Sequence, residues 1–294
     1  MIGNFPIVTF DTSAHNRLVK DGVRSESVLA AIRSGLFFRF AGLSIDEMVA
    51  CPDPAKRAAL FNYCARLQLG LSDCIFPPNE LIRDQVIAHF ESPATFNWKA
   101  VQVRAMEYER GIQRRKIVLD PQLSAEQRLD QNALQKQYKR LFFGLRPKLE
   151  SVFAAHGEAP PRAFREVIAR LQSGEGTLIW DTGKLLYDRA AETDAGEETI
   201  KNFMAVCPPF RALIYGMLIS WYDLAVRDRH VGERFRAGRN DLFMSVYLPY
   251  CDKFVTAEER GEQERCLREV CAVAGVETEI LSYDDFCNSF LVRV

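Results

Sequence analysis

The chain has 294 residues, of which 48% are hydrophobic and 26% charged, enough apolar material for one large domain or two ordinary ones and incompatible with bulk disorder. With 38 Lys/Arg against 39 Asp/Glu the formal net charge is -1, so whole-chain charge names no partner, although such a balance can hide a basic patch beside an acidic one. The eight cysteines contain no C-x-x-C pair and fall on apolar or helical positions, which argues against a disulfide framework or a zinc site and predicts reduced core thiols in a cytoplasmic protein.

The first residues show neither a charged n-region nor an apolar h-region, so no signal peptide is expected. Phe5–Phe10 (FPIVTF) is apolar and β-branched and predicts a buried strand whose C-terminal end presents Asp11. Ser25–Ser34 has helical spacing, with Ser25 as a plausible cap, and Leu36–Phe40 (LFFRF) predicts a second strand. Ser44 begins a helix, and Ser44 with Glu47 has the spacing of a capping box. Residues 55–70 continue as helix, and Asp73–Phe76 is a short strand ended by Pro77-Pro78.

From about Glu80 to Asp228 the pattern is helical, with breaks expected at Asp120-Pro121, Arg146-Pro147, Pro160-Pro161, Gly174–Gly176 and Pro208-Pro209. Its longest apolar stretch, Ala212–Tyr222, is too short to span a bilayer and reads as a buried helix, so no membrane partner is expected. Strands return at Lys253–Thr256 (KFVT) and Thr278–Leu281 (TEIL), with a helix over Glu258–Ala274 between them. Short buried strands alternating with helices predict an α/β fold with a parallel sheet covered by helices. The expected organisation is an α/β core, 1–90 and 236–294, interrupted by a helical subdomain, 91–235.

Charge is unevenly placed. Lys99–Lys148 holds twelve Lys/Arg against five Asp/Glu, a net +7, which leaves -8 for the rest of the chain. Five arginines follow between 227 and 239, whereas the segment from Asp252 onward holds ten acids against five bases. A basic helical block beside an acidic core suits a nuclease, the bases holding phosphates and the acids a metal. The competing reading is that long helices are simply charged on their wet face. The interleaved Trp98, Tyr108, Tyr138, Phe142 and Phe143 also fit a helix core.

Four acids sit where strands end or helices begin: Asp11, Glu47, Asp241 and Glu258. Singly, the last three are ordinary helix-start acids favoured by the helix dipole. Together on one sheet edge they would repel unless a divalent cation neutralised them, and such oxygen clusters suit Mg²⁺ or Mn²⁺. The ordered set Asp11 (VTFDTSAHNRL), Glu47 (FAGLSIDEMVA), Asp241 (RNDLFMSVYLPYCDKFVT) and Glu258 (FVTAEE), closing with EILSYDDF, resembles the PIN-domain nucleases. The resemblance covers roughly residues 5–90 and 236–290 and leaves the helical block unexplained. It implies a Rossmann-like parallel sheet with an acidic pocket for one or two Mg²⁺/Mn²⁺ ions. Asp11, Glu47 and Asp241 match the first three acids, Thr256 the small hydroxyl residue after the last core strand, and Ser13 and Asn16 polar positions near the first acid. Glu258 stands where the family usually carries an aspartate, one methylene shorter.

The resemblance implies metal-dependent phosphodiester hydrolysis, foremost by an endoribonuclease acting on single-stranded or structured RNA, with no histidine base required. His15 is given no role. Arg239 and Asn240 adjoin the expected pocket, and Arg114, Arg115 and Lys116 are the expected nucleic-acid-holding cluster. Small members of the family are often toxins. The helical block has room for substrate specificity or a homodimer surface, and a protein inhibitor or antitoxin is not visible in the chain. The alternative is a catalytically degenerate PIN-like nucleic-acid-binding or scaffold protein, kept open by Glu258 and the insertion. A haloacid-dehalogenase-like phosphohydrolase ranks lower, because that chemistry wants a second acid where Ser13 stands.

Overall fold

In the computed structural model, which describes residues 5–114, 120–154, 163–173, 178–223, 243–258 and 262–291, five short strands form one sheet. The strands are β1 (Ile7–Phe10), β2 (Phe37–Ala41), β3 (Ser72–Ile75), β4 (Lys253–Thr256) and β5 (Glu279–Ser282), all parallel, in the order β3-β2-β1-β4-β5. Register follows the alternation of the side chains: Val8 pairs with Phe38 on one side and Lys253 on the other, and Phe10 with Val255. Val8, Phe10, Phe38, Phe40, Cys74 and Val255 point into one core, whereas Ile75, Phe254 and Ile280 point into the other. The sheet is therefore covered on both faces, as a parallel sheet requires.

The first face is covered by α1 (Thr12–Lys20), α2 (Val23–Gly35), α4 (Pro54–Leu67), α6 (Met106–Arg114) and the last helix, Tyr283–Leu291. Helix α3 (Gly42–Val49) follows β2 directly, and α5 (Pro78–Glu91) follows β3. The second face carries α5, α7 (Pro121–Ala154), α8 (Phe164–Ser173), α9 (Leu178–Ala191), α10 (Glu197–Val206) and α11 (Pro208–Tyr222). A 3₁₀ helix, Met244–Tyr250, and α12 (Glu262–Ala274) complete it, leaving α13 as Tyr283–Leu291. Helix α11 is buried almost end to end. Among the described residues no single helix is long and apolar enough to cross a membrane; only α10 and α11 taken together reach that length and composition, and they are bent by 108°.

Local departures from the sequence expectations have physical causes. Helix α7 runs through Pro147, where the sequence predicts a break. Proline removes one intrahelical bond at a cost of roughly 3 kcal/mol, but Tyr138 and Leu149 on either side of it are buried in the core and hold both halves. Unexpected breaks lie at 192–196, between α9 and α10, and between α5 and α6, where residues 92–105 run back along β3. Val103 O accepts from Phe76 N at 3.0 Å, Ala105 N donates to Cys74 O at 2.7 Å, and Arg104 bridges antiparallel to Ile75. This segment covers an edge strand that would otherwise expose unpaired backbone. The apolar run before β4 is a 3₁₀ helix containing Pro249. The breaks expected at 160–161 and 174–176 lie outside the described residues.

Ser25 does not cap α2; its hydroxyl donates to Leu18 O. All eight cysteines are free thiols, seven of them buried. On β2 and β3, Arg39 forks onto Asp73 (2.8 and 2.6 Å) and donates to Tyr250 O at 2.8 Å, tying the sheet to the 3₁₀ helix.

Candidate functional site

Helix α1 leaves β1 on one face of the sheet and α12 leaves β4 on the other, so the C-terminal ends of these neighbouring strands flank a topological switch point, where open α/β sheets bind ligands. Asp11 sits there as the N-cap of α1, 3% exposed, its carboxylate accepting from Ala14 N at 2.7 Å. Ser13 Oγ donates to it at 2.8 Å, and Thr256 Oγ1, at the end of β4, at 2.7 Å. Ser13 Oγ also accepts from Ala257 N at 2.8 Å, so Asp11, Ser13 and Thr256 stitch the two strand ends together. Burial, despite those three donors, pushes the Asp11 carboxyl up to about 6, and the nearby Glu47 charge adds to the rise.

Glu47 reaches this position because α3 is held from several sides. Ser44 Oγ donates to Phe10 O at 3.3 Å, Tyr108 OH to Asp46 Oδ1 at 2.9 Å, and Leu43 N to Tyr247 OH at 3.0 Å. Ser44 therefore makes no capping box, since Ala41 is the N-cap residue and the Ser44 hydroxyl is spent on β1. Glu47 instead accepts a hydrogen bond from Thr12 Oγ1, the residue next to Asp11. The two acids thus stand side by side, linked through Thr12.

A cavity of about 340 Å³ opens beside Glu47, lined by Thr12, Asn16, Glu47, Lys56, Arg128 and Asn132 among others. Asn16 Nδ2 donates to Thr12 O at 2.8 Å, which fixes the amide and leaves its buried Oδ1 without a donor. A larger cavity of about 450 Å³ lies farther along α7, walled mainly by apolar side chains of α5, α7, α9 and α11.

The remaining expected residues are placed differently. Glu258 turns its carboxylate to Gln263 N (2.6 Å) and caps the start of α12. Asp241, Asn240, Arg239, Arg115 and Lys116 lie outside the described residues, and Arg114 is exposed at the end of α6. Among the described residues no three His, Cys, Asp or Glu side chains form a metal-holding group; Asp11 and Glu47 are a pair linked through Thr12. His15 is buried against Phe10, Phe38 and Phe40, and burial lowers its pKa to about 3, so it stays neutral in the core. Tyr138 is likewise a core residue, whereas Phe143 is exposed.

Sequence reasoning missed Thr12, Lys56, Arg128 and Asn132. Arg128 lies inside the basic window, but nothing in the sequence sets it opposite Lys56. No family model, curated protein or solved structure matches the chain. The architecture itself is an α/β fold with a five-stranded, all-parallel sheet flanked by helices and extended by a further helical region.

Proposed function

We propose that the chain is a PIN-like, metal-dependent nuclease that hydrolyses phosphodiester bonds of RNA. The observation that carries this reading is the Asp11–Thr12–Glu47 arrangement at the switch point, of which Thr12 and Glu47 line a cavity with two cationic side chains. The donor set fits Mg²⁺ or Mn²⁺: the carboxylates of Asp11 and Glu47, linked through Thr12, and a buried amide oxygen on Asn16 without a donor are hard oxygen ligands. Asp11 and Glu47 would hold the ion, with Asp241 assigned as the third acid from the sequence pattern. When bound, the ion supplies an activated water and charge neutralisation at the scissile phosphate. Ser13 and Thr256 fix the rotamer of Asp11, and Thr12 fixes that of Glu47, so the carboxylates are set before substrate arrives.

The second reading, a degenerate nucleic-acid-binding scaffold, is favoured by one observation: Glu258 is engaged as a helix cap. Metal binding separates the two. Calorimetric titration with Mn²⁺ is expected to show binding by the wild-type chain, weakened at least about tenfold in Glu47→Gln, in the range seen when groups supporting a metal are removed. Equal binding by the two chains, or none by either, contradicts the nuclease reading.

A further inference from the structure

The first turn of helix α7 is anchored beside Glu47 by a buried hydrogen-bonded cluster. Arg57 Nη1, on α4, donates to Cys51 O at 2.6 Å and to Ser124 Oγ at 2.8 Å, and Ser124 Oγ donates to Cys51 O at 3.3 Å. Both Arg57 and Ser124 are buried. This clamps the first turn of α7 onto the corner between α3 and α4. Residues three and four apart share a helix face, so fixing Ser124 turns Arg128, Gln131 and Asn132, which follow at that spacing, toward the same corner. All three line the 340 Å³ cavity together with Glu47 and Thr12, and Lys56 enters from the first turn of α4. Among the described residues neither Lys56 nor Arg128 takes part in an ion pair, and both are exposed at the mouth.

Two cations without an ion-pair partner among the described residues, contributed by helices far apart in sequence, thus line one cavity with a carboxylate. Amide side chains complete the wall. An anion carrying several oxygens matches such a pair of cations. The cavity is at the small end of ligand pockets, the size of one nucleotide unit rather than of a duplex. We propose that this cavity is a strand-holding subsite in which Lys56 and Arg128 grip a backbone phosphate of single-stranded RNA beside Glu47. The proposal rests on the nuclease reading and deepens it. It assigns the clamped N-terminal half of α7, rather than the end of α6, the task of holding substrate next to the acids.

The test uses the full chain and a fluorescein-labelled, mixed-sequence 12-nucleotide RNA, followed by anisotropy in EDTA so that no cleavage intervenes. The Lys56→Ala/Arg128→Ala double variant is expected to bind roughly tenfold or more weakly. Its log Kd should change less steeply with log salt, by about 0.7 for each single-strand phosphate that the variant no longer neutralises. Arg24→Ala/Lys201→Ala, a charge-matched control on α2 and α10, should stay within twofold of wild type, and Lys56→Arg/Arg128→Lys should retain most of the affinity. A 12-base-pair RNA duplex should compete poorly for the wild-type site. Unchanged affinity in the double variant, or an equal loss in the control, overturns the subsite. Equal competition by the duplex overturns its single-strand character. If the wild-type chain binds and cuts RNA while the double variant matches it, the subsite alone fails; if the wild-type chain binds neither RNA nor DNA, the nuclease reading fails with it.

Discussion

Asp11→Asn is expected to lower metal-dependent cleavage by at least about a thousandfold, the order expected when several kcal/mol of transition-state stabilisation by a metal disappears. The same substitution is expected to make the metal-free chain more stable at neutral pH. Asp11 is 3% exposed and its carboxyl is raised to about 6 against an ordinary 3.8. Between those values the folded chain holds a proton that the unfolded chain has released, so unfolding free energy falls as pH rises through the window. Above about 6 the full cost of the buried charge is present, about 3 kcal/mol at 1.36 kcal/mol per pH unit. Below 3.8 the cost is absent. Asparagine keeps the shape and can still accept from Ala14 N, while its amide donates to Thr256 Oγ1.

The thermal midpoint of Asp11→Asn should therefore exceed that of wild type by roughly 5 °C at pH 7.5, and the two should converge near pH 4. Millimolar Mn²⁺ should raise the wild-type midpoint and leave the variant unmoved, as linkage to a folded-state ligand requires. Scanning calorimetry at the two pH values, with and without Mn²⁺, checks all of this. A variant less stable than wild type at pH 7.5 contradicts the description of Asp11 as a buried carboxylate held at a cost.

The second large effect is expected at Gly42, the first residue of α3. A Cβ there would lie 2.6 Å from Pro77 N, 2.7 Å from Ile75 O and 2.8 Å from Pro77 Cδ. These are backbone and ring atoms of the turn that ends β3, and none can swing aside. The close approach lets Leu43 N reach Tyr247 OH while Tyr247 OH donates to Phe76 O at 3.1 Å. Burial holds that phenol far above its ordinary pKa, so it remains a neutral donor. Gly42→Ala is expected to cost about 3 kcal/mol, at the upper end for overpacking, lowering the midpoint by several degrees. Because α3 carries Glu47, cleavage should fall as well. A midpoint within 1 °C of wild type would show that α3 is not pressed against this turn.

The strands are legible because each is a short apolar run bounded by breakers, and KFVT forms β4 over the residues the pattern predicts. Asp11 is legible for a related reason: a charge directly after FPIVTF has no packing role in the strand. Ser13 and Thr256, expected as polar positions around the acids, do contact it. Glu47 is ambiguous in sequence, since Ser44–Glu47 spacing fits a cap equally well. Only the hydrogen bonds of Ser44 to β1 and of Thr12 to Glu47 settle where that carboxylate goes. Glu258 follows the ordinary helix-start reading.

What is not legible depends on tertiary placement. Lys56 and Arg128 meet because Arg57 and Ser124 lock two helices, an interaction with no local signature. Pro147 reads as a break because local propensity takes no account of the core on either side of it.

The most direct measurement is cleavage of a panel of labelled single-stranded RNAs, RNA duplexes and DNAs by the full chain with Mn²⁺, with Mg²⁺ and with EDTA, run beside Asp11→Asn. Cleavage of single-stranded RNA that needs the divalent ion and disappears in the variant is the predicted result. Absence of cleavage under every condition, or cleavage that persists in EDTA or in Asp11→Asn, would contradict a metal-dependent nuclease centre at Asp11 and Glu47.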